Sequence, residues 1–293
     1  MQILLTGATG FLGSHLLQRL IGLGFSVICL KRESSNLTRT RHFFKKATWL
    51  DTETTDIDQL FFNYQVDCII HCATDYGRKK IDPLQTIEAN LILPLKLLHA
   101  SIDRNLSIFI NTDTILDKRI NHYSLSKSQF LDWLKTYVDK TTVVNLCLEH
   151  FYGPQDDKSK FSSFIINELI GNKKNSIDLT EGLQKRDFIY IDDVIEAFVT
   201  IINNLDNFDK SFYNFEVGSN ESYTIREFTE LVKRLCKNDN TSLNFGSLPY
   251  RKGEVMESHA DTKPLRSLGW KPKISLENGL KLTIEEEQRK SFK

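Results

Sequence analysis

The seven residues Gly7-Ala-Thr-Gly10-Phe-Leu-Gly13 constrain this chain more than any others, because they stand between the apolar run MQILLT and the amphipathic stretch FLGSHLLQRLIGLG. Glycine at the first position permits a tight turn out of a strand, and at the second it lets backbone approach a pyrophosphate. At the third it lets the following helix pack close to the strand. The helix N-terminus adds amide donors and a partial positive charge. The alternative is a glycine-rich turn of structural use only. A strand before, a helix after and further strands at the right intervals favour a dinucleotide site.

Those further strands read as FSVICLK, KATWLD, DCIIHCA, SIFINT and TTVVNLCL, with an amphipathic helix over TIEANLILPLKLLHASIDRN. Continuous apolar strands alternating with helices imply a parallel sheet buried on both faces, and the crossover rule makes it doubly wound. The expected fold is therefore α/β of the Rossmann kind. Residues 1–152 form the dinucleotide-binding domain, with part of 187–217 returning to it. Residues 153–293 form mainly a smaller α+β substrate lobe over the ends of the sheet, with helices expected in FSSFIINELIGNKK, in DDVIEAFVTIINNL, in TIREFTELVKRLCK and from about Leu276.

Lys and Arg together number 38, as do Asp and Glu, so net charge gives no general reason to expect nucleic acid as a partner. No stretch approaches the roughly 18 apolar residues of a membrane span, no leader pattern opens the chain, and a cytoplasmic protein is expected. Its five scattered cysteines read as reduced thiols rather than a disulfide set or zinc site. Asp192 and Asp193, at a strand-to-helix junction, read as helix caps rather than a metal pair, and no metal is expected.

A nucleotide site preferring NAD carries Asp or Glu at the end of the second strand, to bond the ribose hydroxyls. Here Lys31 and Arg32 stand there, suited to a 2′-phosphate, so NADP(H) is the expected cofactor with NAD(H) as the alternative. Glu33 would come toward the ribose if the strand ended one residue later. Farther on, Tyr123 and Lys127 are spaced i and i+4, on one face of a helix. An ammonium beside a phenol stabilises the phenolate and should lower its pKa from about 10 toward the working range of an acid-base catalyst. Upstream, Thr112, Asp113 and Thr114 end a strand in groups able to hydrogen-bond a carbonyl or alcohol.

With these motifs the sequence resembles the extended short-chain dehydrogenase/reductase family, the NAD-dependent epimerases and dehydratases of nucleotide sugars. GATGFLG and YSLSK are joined in the resemblance by Asp67 to Ala73, Asn90, Phe151 to Pro154, Arg186 to Val194, Val217 to Ser219 and Leu268 to Pro272. It implies Thr112 as hydroxyl partner of the substrate, Tyr123 as acid-base and Lys127 as its modulator. Thr9, Phe11, Leu12, Lys31, Arg32, Asp51, Cys72 and Ala73 would join the three glycines, Tyr123 and Lys127 around the cofactor. Substrate contacts are expected from Asp75, Tyr76, Arg78, Asp113, Arg186 and Arg251.

More narrowly, HCATDYGRK, IFINTDT, LEHFYGPQDDKSKF and KRDFIYIDDV are similar to the CDP-abequose and CDP-paratose synthase group. That similarity implies an NADPH-dependent reduction of the 4-keto group of a CDP- or dTDP-linked deoxyhexose, with a homodimer left open. The chain departs from the family pattern in three places. Cys147 stands where the family usually has Arg, the segment from Thr112 to Tyr123 is short, and Thr114 replaces the Glu that dehydratases carry. An epimerase, a reductase of other carbonyls and a non-catalytic NADP-binding protein are the competing readings.

Overall fold

The structure, a computed structural model, describes residues 1–77, 82–118, 120–171 and 174–291. In chain order its strands and α-helices are β1 (Gln2–Thr6), α1 (Phe11–Gly22), β2 (Ser26–Lys31), β3 (Thr48–Asp51), α2 (Ile57–Asn63), β4 (Cys68–His71), α3 (Pro83–Ile87), α4 (Leu93–Ile102), β5 (Ile108–Thr114), α5 (His122–Lys135), β6 (Thr142–Leu148), β7 (His150–Tyr152), α6 (Phe161–Ile170), β8 (Ser176–Leu179), β9 (Lys185–Tyr190), α7 (Ile191–Asn203), β10 (Phe212–Val217), β11 (Ser222–Thr224), α8 (Ile225–Leu235), β12 (Ser242–Phe245), α9 (Lys263–Ser267) and α10 (Leu276–Ser291). The chain divides into two compact units. One is Met1–Cys147 with Phe198–Phe215, the other Leu148–Ala197 with Glu216–Lys293.

The first unit carries the doubly wound sheet that the strand alternation predicts, in the order β10-β6-β5-β4-β1-β2-β3. Strands β1 to β5 pair in parallel, with Ile3, Leu4 and Leu5 of β1 opposite Val27, Ile28 and Cys29 on one side and Cys68, Ile69 and Ile70 on the other. Residues on both faces are buried, Ile3 and Leu5 on one and Leu4 on the other. Leu4, Ile28, Ile69, Phe109 and Val143 pack with Leu97 and Leu98 of α4 and Phe130 and Leu134 of α5, all buried. Each such side chain contributes about 1.5–3 kcal/mol by leaving water. The chain runs outward through β1, β2 and β3 and then crosses back to β4. The order therefore reverses between β1 and β4, the crevice where doubly wound sheets bind ligands.

One expected helix is broken in a way that sequence periodicity does not reveal. TIEANLILPLKLLHASIDRN forms the end of α3, a π-turn over Glu88–Ile92, and α4. Pro94 explains the break, because a proline ring clashes with the carbonyl four residues earlier and offers no N–H. The carbonyl so displaced is that of Asn90, and a wide turn accommodates it. The side chain of Asn90 is fully buried there.

The second unit holds a three-stranded sheet, β11-β9-β7, a two-stranded parallel pair of β12 with β8, and helices around them. Aromatic packing builds its core, with the Phe188 and Phe228 rings stacked at 4.2 Å between centroids. Asp192 and Asp193 lie in the first turn of α7, and Asp193 also reaches beyond the helix. Its carboxylate accepts the amides of Lys273 and Ile274 at 3.0 and 2.9 Å, and so ties down the segment before α10.

Asp187, fully buried on β9, accepts the amide and hydroxyl of Ser219 at 2.7 Å each, and the amides of Asn220 and Ala260 at 3.1 and 3.4 Å. These bonds hold it rigid against Gly218, where a Cβ would stand 2.4 Å from its Oδ2 and 2.6 Å from Ala260 Cβ. Overpacking of this kind costs about 1–3 kcal/mol, so Gly218→Ala is expected to lower the unfolding free energy by that amount, read as a lower denaturant midpoint at unchanged slope. A midpoint equal to the parent's would show that Asp187 is free to move aside.

Candidate functional site

At the crevice between β1 and β4, the glycine turn has no room for side chains. Gly7 has φ +71°, and a Cβ on it would lie 2.6 Å from the amide nitrogen of Ala73; one on Gly13 would lie 2.1 Å from the carbonyl oxygen of Gly7. Gly10 N–H donates to Gly7 O at 2.9 Å, closing the turn, and Gly10 is the N-cap of α1. Thr9 and Gly10 are half-buried, while Phe11 and Leu12 are buried in the first helical turn, whose amides lack intrahelical partners. Across the crevice, Ala73 N–H donates to Thr6 Oγ1 at 3.1 Å, with Cys72 and Ala73 both half-buried. Bare backbone and a helix N-terminus suit a pyrophosphate, so these residues fit a dinucleotide.

The second cluster lies at the end of β5. Asn111, Thr112, Asp113 and Thr114 are all buried, although an apolar strand would fit such a place more cheaply. Partners satisfy most of their polar atoms, the buried Asn111 Oδ1 excepted. Thr112 Oγ1 donates to the carbonyl of His71 at 2.9 Å, and Lys127 Nζ donates to the carbonyl of Thr112 at 2.9 Å. Asn111 Nδ2 donates to Asn145 Oδ1 at 2.8 Å, and Asn145 Nδ2 reaches Asp113 Oδ2 at 3.3 Å and Asn214 Oδ1 at 2.8 Å. Tyr123 and Lys127 share a face of α5, whose start is fixed by a capping box between Asn121 and Ser124.

Asn90 then holds α5 to the loop after β4. Its amide donates to Ser126 Oγ at 3.0 Å and to the carbonyl of Asp75 at 2.9 Å, while Asn90 Oδ1 accepts the Asp75 amide at 2.9 Å. In that loop the Tyr76 ring, partly exposed, meets the Tyr123 ring at 4.9 Å between centroids.

Electrostatics set the protons. Burial, Tyr76, Asp113 and Cys147 raise the Tyr123 phenol above its ordinary value, while a hydrogen bond with Thr114 pulls it down. The expected lowering by Lys127 is not what the packed chain gives: the ammonium is turned to the Thr112 carbonyl, and desolvation dominates. Burial lowers Lys127 itself to about 8, against Asp113 and Cys72, which raise it, and with Lys118, which lowers it. Burial pushes the Cys72 thiol up to about 12. His71 is held well below its usual value by burial and by Lys127, so its ring is neutral.

Other expected contacts are placed differently. Lys31 ends β2 and pairs with Asp51, its register partner on β3, at 3.4 Å, while Arg32 lies exposed just beyond. Because the strand ends at Lys31, Glu33 lies in the following turn. Asp75 spends its carboxylate on the Gly77 amide of its own loop at 2.9 Å and on the Thr86 hydroxyl of α3 at 3.4 Å. Asp113 likewise faces Lys118, the Thr114 amide and Asn145. Arg78 lies outside the described residues.

In the second unit, Arg186 is paired with Glu254 and donates to the carbonyls of Lys185 and Val255 at 2.7 and 2.6 Å. Arg251, exposed, lies in the turn closed by the Glu254 amide at 3.1 Å. Thr114 beside Tyr123, Lys118 and the asparagine ladder are the contacts the motifs did not reveal. Their signal was the run of polar residues at the end of an apolar strand, since buried polar groups need partners. Among the described residues no helix is long and apolar enough to cross a membrane, and no group of three or more His, Cys, Asp or Glu is arranged to hold a metal.

Residues 3–218 match the model of the NAD dependent epimerase/dehydratase family. A CDP-abequose synthase of Salmonella muenchen is 36% identical over 290 residues, covering 96% of each chain. Another of that name from Salmonella typhimurium is 32% identical over 288 residues, at 95% of each. The solved UDP-glucose 4-epimerase of Thermotoga maritima, in complex with UDP-glucose, superposes with a TM-score of 0.85 at 24% identity over 100% of both chains, a likeness of fold.

Proposed function

The chain belongs to the NAD dependent epimerase/dehydratase family, and from that premise we propose that it reduces the 4-keto group of a CDP-linked deoxyhexose with NADPH. The observation that carries the reading is the buried cluster at the end of β5, where Thr112, Thr114, Tyr123 and Lys127 meet around one face of α5. Its setting supports it, because relatives named CDP-abequose synthase align over nearly the whole chain.

In this reading the glycine turn and the first turn of α1 hold the dinucleotide, with Cys72 and Ala73 opposite. The reduced cofactor supplies a hydride. Tyr123, kept protonated by burial, gives its proton to the developing alkoxide. The Thr114 hydroxyl orients the phenol, the Thr112 hydroxyl, its proton given to the His71 carbonyl, holds the strand end, and the Lys127 ammonium supplies positive charge to the site as the phenolate forms. Thr114 offers no carboxylate, so the residue that resembles the dehydratase base is missing and water elimination is not expected.

Arg32 is the proposed 2′-phosphate contact, because Asp51 engages Lys31 while Arg32 is exposed. Hydrogen bonds to charged groups contribute about 1.5–3 kcal/mol, so Arg32→Ala is expected to weaken NADPH by roughly 10- to 100-fold and leave NADH unchanged. Fluorescence titration of both cofactors checks this. Equal affinities in the unmodified protein would remove the NADP preference.

The function is tested by incubating the protein with NADPH and CDP-, dTDP-, GDP- or UDP-linked 4-keto sugars while following absorbance of the reduced cofactor. One NADPH consumed per product, fastest with the CDP sugar, is expected. Interconversion of sugars with no net change in absorbance would mean an epimerase, and no turnover on any of them would refute the reading.

A further inference from the structure

Lys118 belongs to none of the motifs, yet it contacts the cluster at Asp113 and Thr114. It lies between β5 and α5, and its Nζ donates to Asp113 Oδ1 at 2.8 Å and to the carbonyl of Thr114 at 2.8 Å. The Asp113 side chain is 2% exposed and that of Lys118 32%. Asp113 Oδ1 also accepts the Thr114 amide at 2.8 Å. One ammonium thus fixes both sides of Thr114, the residue hydrogen-bonded to Tyr123. The β4 pairing of β5 ends with His71 opposite Asn111. Beyond it, the carbonyls of Thr112 and Thr114 are each taken by a lysine, Lys127 and Lys118.

Charge adds to the geometry. A buried carboxylate one residue from Thr114 opposes the phenolate that Tyr123 becomes when it gives up its proton. An ammonium in contact with that carboxylate offsets the opposition. The other groups bearing on Tyr123 are Tyr76 and Cys147, and those bearing on Lys127 are Asp113, Cys72 and Lys118 itself; of all these, the lysine is the counter-charge in contact with Asp113.

Resting on the reading of Tyr123 as proton donor, we propose that Lys118 is a positioning residue for that proton transfer, holding Thr114 against Tyr123 and neutralising Asp113. Its contacts are with Asp113 and Thr114, and it acts through them. The short segment between Thr112 and Tyr123 is what brings it there. A lysine four residues after Thr114 reaches back to the strand end while the chain is turning into α5.

The test compares Lys118→Met, Lys118→Gln and Lys118→Arg in the full chain, with Tyr123→Phe as control and a 4-keto nucleotide sugar as substrate. Loss of the charge is expected to lower kcat about 10-fold in the Met and Gln variants, the effect of a one-unit pKa change, with KM for sugar and NADPH within about 2-fold. The Arg variant should keep kcat within about 3-fold. The Gln variant retains a donor, and carries the test should Met at this position prevent folding. Parental kcat in the Gln variant, or a change in KM alone, would overturn the proposal. An Arg variant as slow as Gln would overturn it too. An inactive Tyr123→Phe protein beside an unaffected Lys118→Gln protein would reject this inference and leave the reading of Tyr123 standing. A fully active Tyr123→Phe protein would reject both.

Discussion

Tyr123→Phe is expected to cut turnover of a 4-keto nucleotide sugar by about 10²–10⁴-fold, the usual contribution of a positioned general acid, with NADPH affinity nearly intact. The separation follows from where the hydroxyl lies. The phenol is half-buried at the start of α5, hydrogen-bonded to Thr114 and packed on the Tyr76 ring at 4.9 Å. The residues that fit the pyrophosphate belong to the turn after β1. Phe keeps the ring and its packing and removes only the proton. Steady-state kinetics beside a cofactor titration measure the two quantities, and near-normal NADPH oxidation by the variant would place the proton donor elsewhere. Thr112→Val should be milder, because it removes a hydrogen bond to the His71 carbonyl and no proton source.

The parts of this site that could be read from the sequence are those with a local rule. Gly7 and Gly13 announce a turn because only glycine avoids the 2.6 and 2.1 Å overlaps that their backbone neighbours would impose. Tyr123 and Lys127 announce themselves by spacing, and the buried sheet by unbroken apolar runs. The rest depends on contacts between distant segments. No spacing says that Asn90 joins α5 to the Asp75 loop, or that Asp51 meets Lys31 twenty residues away across a strand pair. The π-turn before Pro94 hides behind a helical period that continues on both sides of it. Arg186 shows the converse. Its motif implied a ligand contact, yet the same cation is bonded to Glu254 and two carbonyls of its own unit, partners visible only once the chain is folded.

Lys127→Met is expected to abolish most activity while making the protein more stable at neutral pH. The ammonium is 1% exposed, and its lowering from 10.5 to about 8 records how much burial disfavours its charge. At 1.36 kcal/mol per pKa unit this is a destabilisation of about 3 kcal/mol when both folded and unfolded chains are protonated, below pH 8. Methionine removes it but leaves the Thr112 carbonyl without its 2.9 Å donor, which costs about 1–3 kcal/mol. The net gain at pH 7 is therefore on the order of 1 kcal/mol. The pH dependence is sharper. Between pH 8 and 10.5 the unfolded chain holds the lysine proton that the folded one has released, so the parent gains stability as pH rises and the variant does not. The stability difference should move by about 2–3 kcal/mol in the parent's favour between pH 7 and 10, which reverses the variant's advantage, as read from denaturant unfolding. A constant difference over that range would mean that Lys127 titrates as an ordinary surface lysine. Loss of turnover by about 10²-fold or more in the same variant would show why a group that weakens the fold is kept: an ammonium in the site is worth more to turnover than its absence is to the core.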